Sequence, residues 1–205
     1  MERYVFFRPF IHYGSLKKTT FVVTIKLNDM TTERPMTLQE YAMRFGTYMG
    51  LFWIFKFIFL PIGFSIPLLQ LLFILMTLFV PVLGYIYARR YRNQHHEGYL
   101  SFTQAFSFCF LMYLFASILT ALAHYVYFRF IDQGYLLNTY LDQLENIKNS
   151  VSGDMKISVE QLISSFDVIS SLTPLQLTFQ LLSQNFFYGI LLSIPTGLLV
   201  MKKKN

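Results

Sequence analysis

One lysine stands inside an otherwise apolar run and is the first residue that could do chemistry. Lys56 lies in the stretch Phe52-Trp53-Ile54-Phe55-Lys56-Phe57, shortly before Pro61. An ionisable group in a membrane span is costly, so its position calls for a function. Its long stem can snorkel to the headgroups, which is the plainer reading. The sharper one is contact with an anionic headgroup or a lipid-linked phosphate. His124 sits near the end of another apolar run and reads as a satisfied packing histidine rather than a proton relay.

Two polar stripes share a third run. Gln176, Gln180 and Gln184 recur at intervals of four, as do Asn185, Gly189, Ser193 and Gly197. Ala42, Gly46 and Gly50 repeat the interval nearer the start of the chain. Small residues let helix backbones approach closely, and amides hydrogen-bond across the gap. These stripes read first as internal packing or a homodimer seam, and second as a polar path for a solute or headgroup.

Arg89, Arg90 and Arg92 form the densest cationic group, expected in a loop. Guanidinium forks match phosphate geometry, although a positive anchor at the membrane face already accounts for them. His95, His96 and Glu97 follow, but adjacent residues on a loop do not converge on a metal, and no second cluster completes a site. There is no Gly-rich phosphate loop, no His-Glu-x-x-His and no Ser, His and acid set placeable on one membrane face. No catalytic residue, metal site or cofactor is therefore expected, and the chain reads as a non-enzyme.

The elements that must position these residues are legible in the composition. Of 205 residues, 54% are apolar, 14% are charged, and 23 are Phe and 14 Tyr. A soluble domain is about a quarter charged. The net charge of +6 flanks the apolar runs and does not cover one face, which favours anionic lipid over nucleic acid. The lone Cys109 excludes an internal disulfide. Four runs, 38–60, 67–88, 102–128 and 175–201, are each long enough to cross a bilayer. Thr37 with Glu40, Ser101 with Gln104 and Thr173 with Gln176 have capping-box spacing, and Pro67 and Pro174 suit first-turn positions.

Basic residues precede the first run, separate the second from the third, and follow the last as Lys202, Lys203 and Lys204. The connection after the third run has three basic against six acidic residues. Both termini are therefore expected in the cytoplasm. The predicted fold is an all-α integral membrane protein, with four transmembrane helices in a domain over 37–205. An extracytoplasmic helical hairpin is expected over 129–173, between the third and fourth spans. Leu137, Tyr140, Leu141, Leu144, Ile147 and Val151 mark its first helix, and Ser158 with Gln161 starts its second. It reads first as a spacer and second as a lid or docking surface. Residues 1–36 read as a poorly ordered cytoplasmic segment, with a strand-like run at 20–27 and a possible over-called gene start.

The run Gly84-Tyr85-Ile86-Tyr87-Ala88-Arg89-Arg90-Tyr91-Arg92 leads into Glu97-Gly98-Tyr99-Leu100-Ser101-Phe102-Thr103-Gln104-Ala105-Phe106. With the Met36-Thr37-Leu38 start, it resembles domain-of-unknown-function family 4199, small bacterial four-span proteins. The resemblance covers residues 36 to the end. It implies a bacterial inner-membrane protein with a four-helix fold and an outer helical insertion, and supplies no activity. Three roles compete. The first is a non-enzymatic scaffold or accessory subunit for a membrane partner, such as an enzyme of lipid-linked sugars, with a homo-oligomer as a variant. The second is a small transporter or lipid-binding protein using Lys56 and the amides of the last span. An intramembrane enzyme is third. Membrane lipids are partners in every case, and nucleic acid in none.

Overall fold

The computed structural model describes residues 36–203 of the chain. The strand-like run at 20–27 and the other readings of residues 1–35 lie outside them. Six α-helices follow one another: α1 (Leu38–Gly63), α2 (Pro67–His95), α3 (Phe102–Val126), α4 (Tyr135–Ser150), α5 (Asp154–Ser170) and α6 (Pro174–Val200). One π-helical turn, Tyr127–Ile131, extends α3. Four helices, α1, α2, α3 with its extension, and α6, are long and apolar enough to cross a membrane. The chain is thus a multi-pass membrane protein, and its described residues form an all-helical fold.

All three capping boxes form. The hydroxyls of Thr37, Ser101 and Thr173 accept from the amides of Glu40, Gln104 and Gln176, whose side chains reach back to the cap amides. Each box satisfies two amides that a helix start leaves open. The helix ends carry no such local mark. Pro61 lies inside the last turn of α1, and Pro81 and Pro195 lie within α2 and α6. In spans, neighbouring helices make good the hydrogen bond a proline removes. The second span, expected to stop at residue 88, runs on to His95, so Arg89, Arg90 and Arg92 are helical and not in a loop. The chain turns only at Glu97 and Gly98, both at positive φ. Nothing before them breaks a helix, and arginine is a good helix former.

The helices run up, down, up and down, with α3 at the centre. Half of its apolar window is buried, against 17% for α2, which faces outward with Leu68, Leu71, Leu75 and Leu78. The apolar drive that builds soluble cores is weak between helices in lipid, so close packing must hold the bundle. The α1 seam supplies it. A Cβ on Gly46 would lie 2.7 Å from the Met112 carbonyl oxygen and 2.8 Å from Phe115 Cβ. Gly50 approaches Leu119 and the Ala116 carbonyl, and Ala42 is fully buried. Aromatic rings fill the core beside this seam. Tyr91 stacks on Phe108 with centroids 4.3 Å apart, and Phe45 meets Phe108 edge-on.

One end of the bundle is basic and pinned. Arg92 Nη1 donates to the Val200 carbonyl at 2.9 Å, satisfying an open carbonyl at the end of α6. Leu100 and Lys202 exchange backbone hydrogen bonds of 3.0 and 2.9 Å in an antiparallel bridge. At the opposite end, α4 and α5 form a helical hairpin. Phe128, Leu136 and Leu177 are buried there, and Phe64 meets Tyr140 edge-on. Asp132 is buried and accepts from the amides of Gly134 and Leu136, which sets the turn into α4. The second hairpin helix starts at Asp154, one turn before the expected Ser158, whose hydroxyl donates to the Asp154 carbonyl instead.

Enlarging Gly46 to leucine should force α1 off α3 and lower stability by about 1–3 kcal/mol, the usual cost of overpacking. Met43→Leu, on the exposed face of the same helix, should be neutral. Thermal unfolding in detergent checks the pair.

Candidate functional site

At the hairpin half of the bundle, α1, α2, α3 and α6 leave a cleft, and Lys56 stands in it. The Lys56 ammonium donates to Thr77 Oγ1 at 3.2 Å, and Thr77 in turn donates to the Phe73 carbonyl at 2.8 Å. It also lies 5.4 Å from the Phe73 ring centroid and 6.0 Å from that of Trp53. These contacts soften the burial of a cation but do not neutralise it. No carboxylate acts on Lys56 among the described residues.

Two neighbouring spaces flank the lysine. The smaller, of 150 Å³, is lined by Phe57, Leu60, Phe73, Thr120, His124 and Leu181. The larger, of 330 Å³, is lined mainly by Thr77, Leu78, Val80, Pro81, Tyr188 and Leu192. Trp53, Lys56 and Asn185 line both. Leu78 and Tyr188 are half or more exposed, so the larger space opens sideways between α2 and α6.

Two further polar atoms at this cleft lack partners. Trp53 Nε1 and His124 Nδ1 are buried with no hydrogen bond. Buried polar atoms are ordinarily paired, and each exception calls for an explanation. The expectation of a satisfied packing histidine therefore fails for His124, which has the Phe57 ring 4.3 Å away and an idle nitrogen. Trp53 is held by stacking on Tyr113 at 6.1 Å. Tyr113 in turn lies between two glycines. A Cβ on Gly189 would meet its Cβ at 2.7 Å, and one on Gly84 would collide with its hydroxyl. Trp53, Thr77, Thr120 and Tyr113 were not among the residues singled out in the sequence. Trp53 alone left a signal, as the single tryptophan one helical turn before Lys56.

The other candidates are dispersed. Asn185 lines the cleft, while Gly189, Ser193 and Gly197 below it are buried; Ser193 donates to the Gly189 carbonyl and Gly197 approaches Phe102. The glutamines face the other way. Gln176 closes a capping box, Gln180 is exposed, and Gln184 is exposed and donates to the Tyr188 hydroxyl at 3.3 Å. The two stripes are adjacent on the helix, yet one faces α3 and the other faces out. Arg89 and Arg90 are exposed at the basic end, whereas Arg92 turns inward to α6. His95 and His96 lie beside the pinned bridge with Glu97, Lys202 and Lys203, around an open space of 630 Å³. Among the described residues, no three His, Cys, Asp or Glu side chains are placed to hold a metal.

Partial burial and the neighbouring His95 hold His96 below the ordinary histidine value, and the Tyr91 hydroxyl contacts its Nε2 at 3.1 Å. Below about pH 6.5 the unfolded chain takes up this proton more readily than the folded one. The contribution of neutral His96 is thus present above that range and lost as pH falls through it. The Leu100 amide should exchange faster at about pH 5 than at neutrality, after correction for intrinsic rates, and His96→Gln should flatten the difference. Hydrogen exchange in detergent reads both.

Residues 44–202 match the sequence pattern of a family described as protein of unknown function (DUF4199). No curated protein and no solved structure matches the chain.

Proposed function

Because the chain belongs to the DUF4199 family, whose function is unknown, its role must be read from its own cleft, and we propose that it is a lipid-binding membrane protein. It takes an anionic membrane ligand between α1, α2 and α6. The observation that carries this is Lys56, an ammonium inside a span on which no carboxylate acts among the described residues, with the Trp53 ring beside it. An unpaired charge in a low-dielectric site is strongly unfavourable, and an incoming anion removes that penalty. The reading favours the second role drawn from the sequence over the scaffold. It leaves the chain without an enzymatic step.

The basic end, with Arg89, Arg90, Lys202 and Lys203, supports a cytoplasmic placement of the termini, and the hairpin then lies outside. A bacterial inner membrane suits this arrangement. A second role, an accessory subunit for a membrane enzyme or a homo-oligomer, is supported by Gln180 and Gln184, amides exposed on the outer face of α6. Such amides are best satisfied by another polypeptide. Affinity purification in mild detergent separates the two roles: a stoichiometric protein partner supports the accessory role, and a monomer with bound lipid supports the first.

Lys56→Met should reduce the anionic lipid that co-purifies with the protein by roughly tenfold, a change of about 1.4 kcal/mol. Lys56→Arg should retain most of it. Native mass spectrometry measures the bound lipid directly, and equal occupancy in wild type and Lys56→Met would remove the basis of the reading.

A further inference from the structure

The order of the lining residues along the helices gives the cleft a direction. Leu60, Phe57 and Leu181, which line the smaller space, lie about 5–10 Å from the hairpin-side ends of α1 and α6 at 1.5 Å per residue. Thr77, Leu78, Val80, Pro81, Tyr188 and Leu192, around the larger space, lie about 15–27 Å from the hairpin-side ends of α2 and α6. Lys56, Trp53 and Asn185 stand between the two. The donors thus stand nearer the hairpin-side face than most of the larger space does, and that mainly apolar space runs toward the bilayer centre.

Resting on the reading that the cleft binds an anion, we propose that its ligand is a single-chain monoanionic amphiphile, a long-chain carboxylate. The carboxylate sits beside Lys56 in the smaller space and its chain runs through the larger one. Charge sets the head. One ammonium balances one negative charge, and a phosphomonoester dianion would leave the second uncompensated in a low-dielectric site. Size agrees with this. A space of 150 Å³ is about that of a cavity that holds one benzene ring, enough for a carboxylate and little for a glycerophosphate carrying two chains. The Asn185 amide, on the wall of the same space, supplies a neutral donor to the second carboxylate oxygen. The side opening between α2 and α6, past Leu78 and Tyr188, admits a chain directly from the leaflet.

Trp53, the only tryptophan in the chain, makes the test direct. The full-length protein in phosphatidylcholine nanodiscs is titrated with dibromostearate, whose bromines quench a nearby indole. Saturable quenching is expected, displaced by palmitate, displaced at least roughly tenfold more weakly by hexanoate, and not displaced by methyl palmitate. Lys56→Met, which keeps Trp53, should weaken binding at least roughly tenfold, and Lys56→Arg should preserve it. Leu191→Phe narrows the larger space from a half-exposed position, so it should remove the preference for palmitate over hexanoate without weakening hexanoate. Displacement by hexadecyl phosphate or phosphatidylglycerol as effective as that by palmitate would overturn the carboxylate assignment and leave the anion reading standing. Displacement by methyl palmitate as effective as by palmitate, or unchanged binding in Lys56→Met, would overturn both.

Discussion

Tyr113 is the side chain on which the arrangement of the bundle turns. Its ring occupies the space left by two missing Cβ atoms, at Gly84 on α2 and Gly189 on α6, and its face supports Trp53 on α1. One side chain of α3 therefore touches all three surrounding spans. Hydrophobic burial cannot rank one helix arrangement above another in lipid as it does in water, so such close approaches carry the specificity. The glycine seam between α1 and α3 at Gly46 and Gly50 does the same work on the other side. Where Tyr113 fills the centre, α2 and α6 close onto α3; nearer the hairpin they part, and the cleft is what remains.

Within that cleft, the polar groups are arranged against their own stability. Lys56 is held by a hydroxyl and two ring faces, and Trp53 and His124 each leave a nitrogen idle. Each is unfavourable alone, and a bundle selected only for stability would have an apolar residue at position 56. They gather about one cleft, Lys56 and Trp53 lining both of its spaces and His124 the smaller. The basic end is arranged differently: Arg92 closes an open carbonyl of α6, and the Leu100–Lys202 bridge fastens the chain behind it.

What could be read in the sequence was local. A hydroxyl and a side-chain amide or acid three residues apart determine a capping box, and all three starts were placed from that spacing. Lys56 and Asn185 were noticed because polar groups are rare in apolar runs, and both line the cleft. Helix ends were less legible, since nothing between Ala88 and Glu97 distinguishes an arginine anchor beyond the helix from one within it. The fourth span was half-legible. Its two stripes were visible as periodicities, but periodicity does not say which stripe meets α3 and which meets lipid. Trp53 with Tyr113, and Lys56 with Thr77, join residues far apart in the chain, and no local pattern announces such pairs.

The depth of Lys56 has an electrical consequence. It lies about 10 Å from the hairpin-side end of α1, a helix about 39 Å long, so with α1 centred on a hydrocarbon core of about 30 Å it stands roughly a fifth of the way in. A unit charge moved that far crosses about a fifth of the transmembrane field, worth roughly 0.5 kcal/mol for each 100 mV. An anion reaching the lysine from that face carries its charge through this part of the field, and the resulting pair is neutral. Occupancy of the proposed site would therefore be coupled to membrane voltage through one side chain, with no moving helix required.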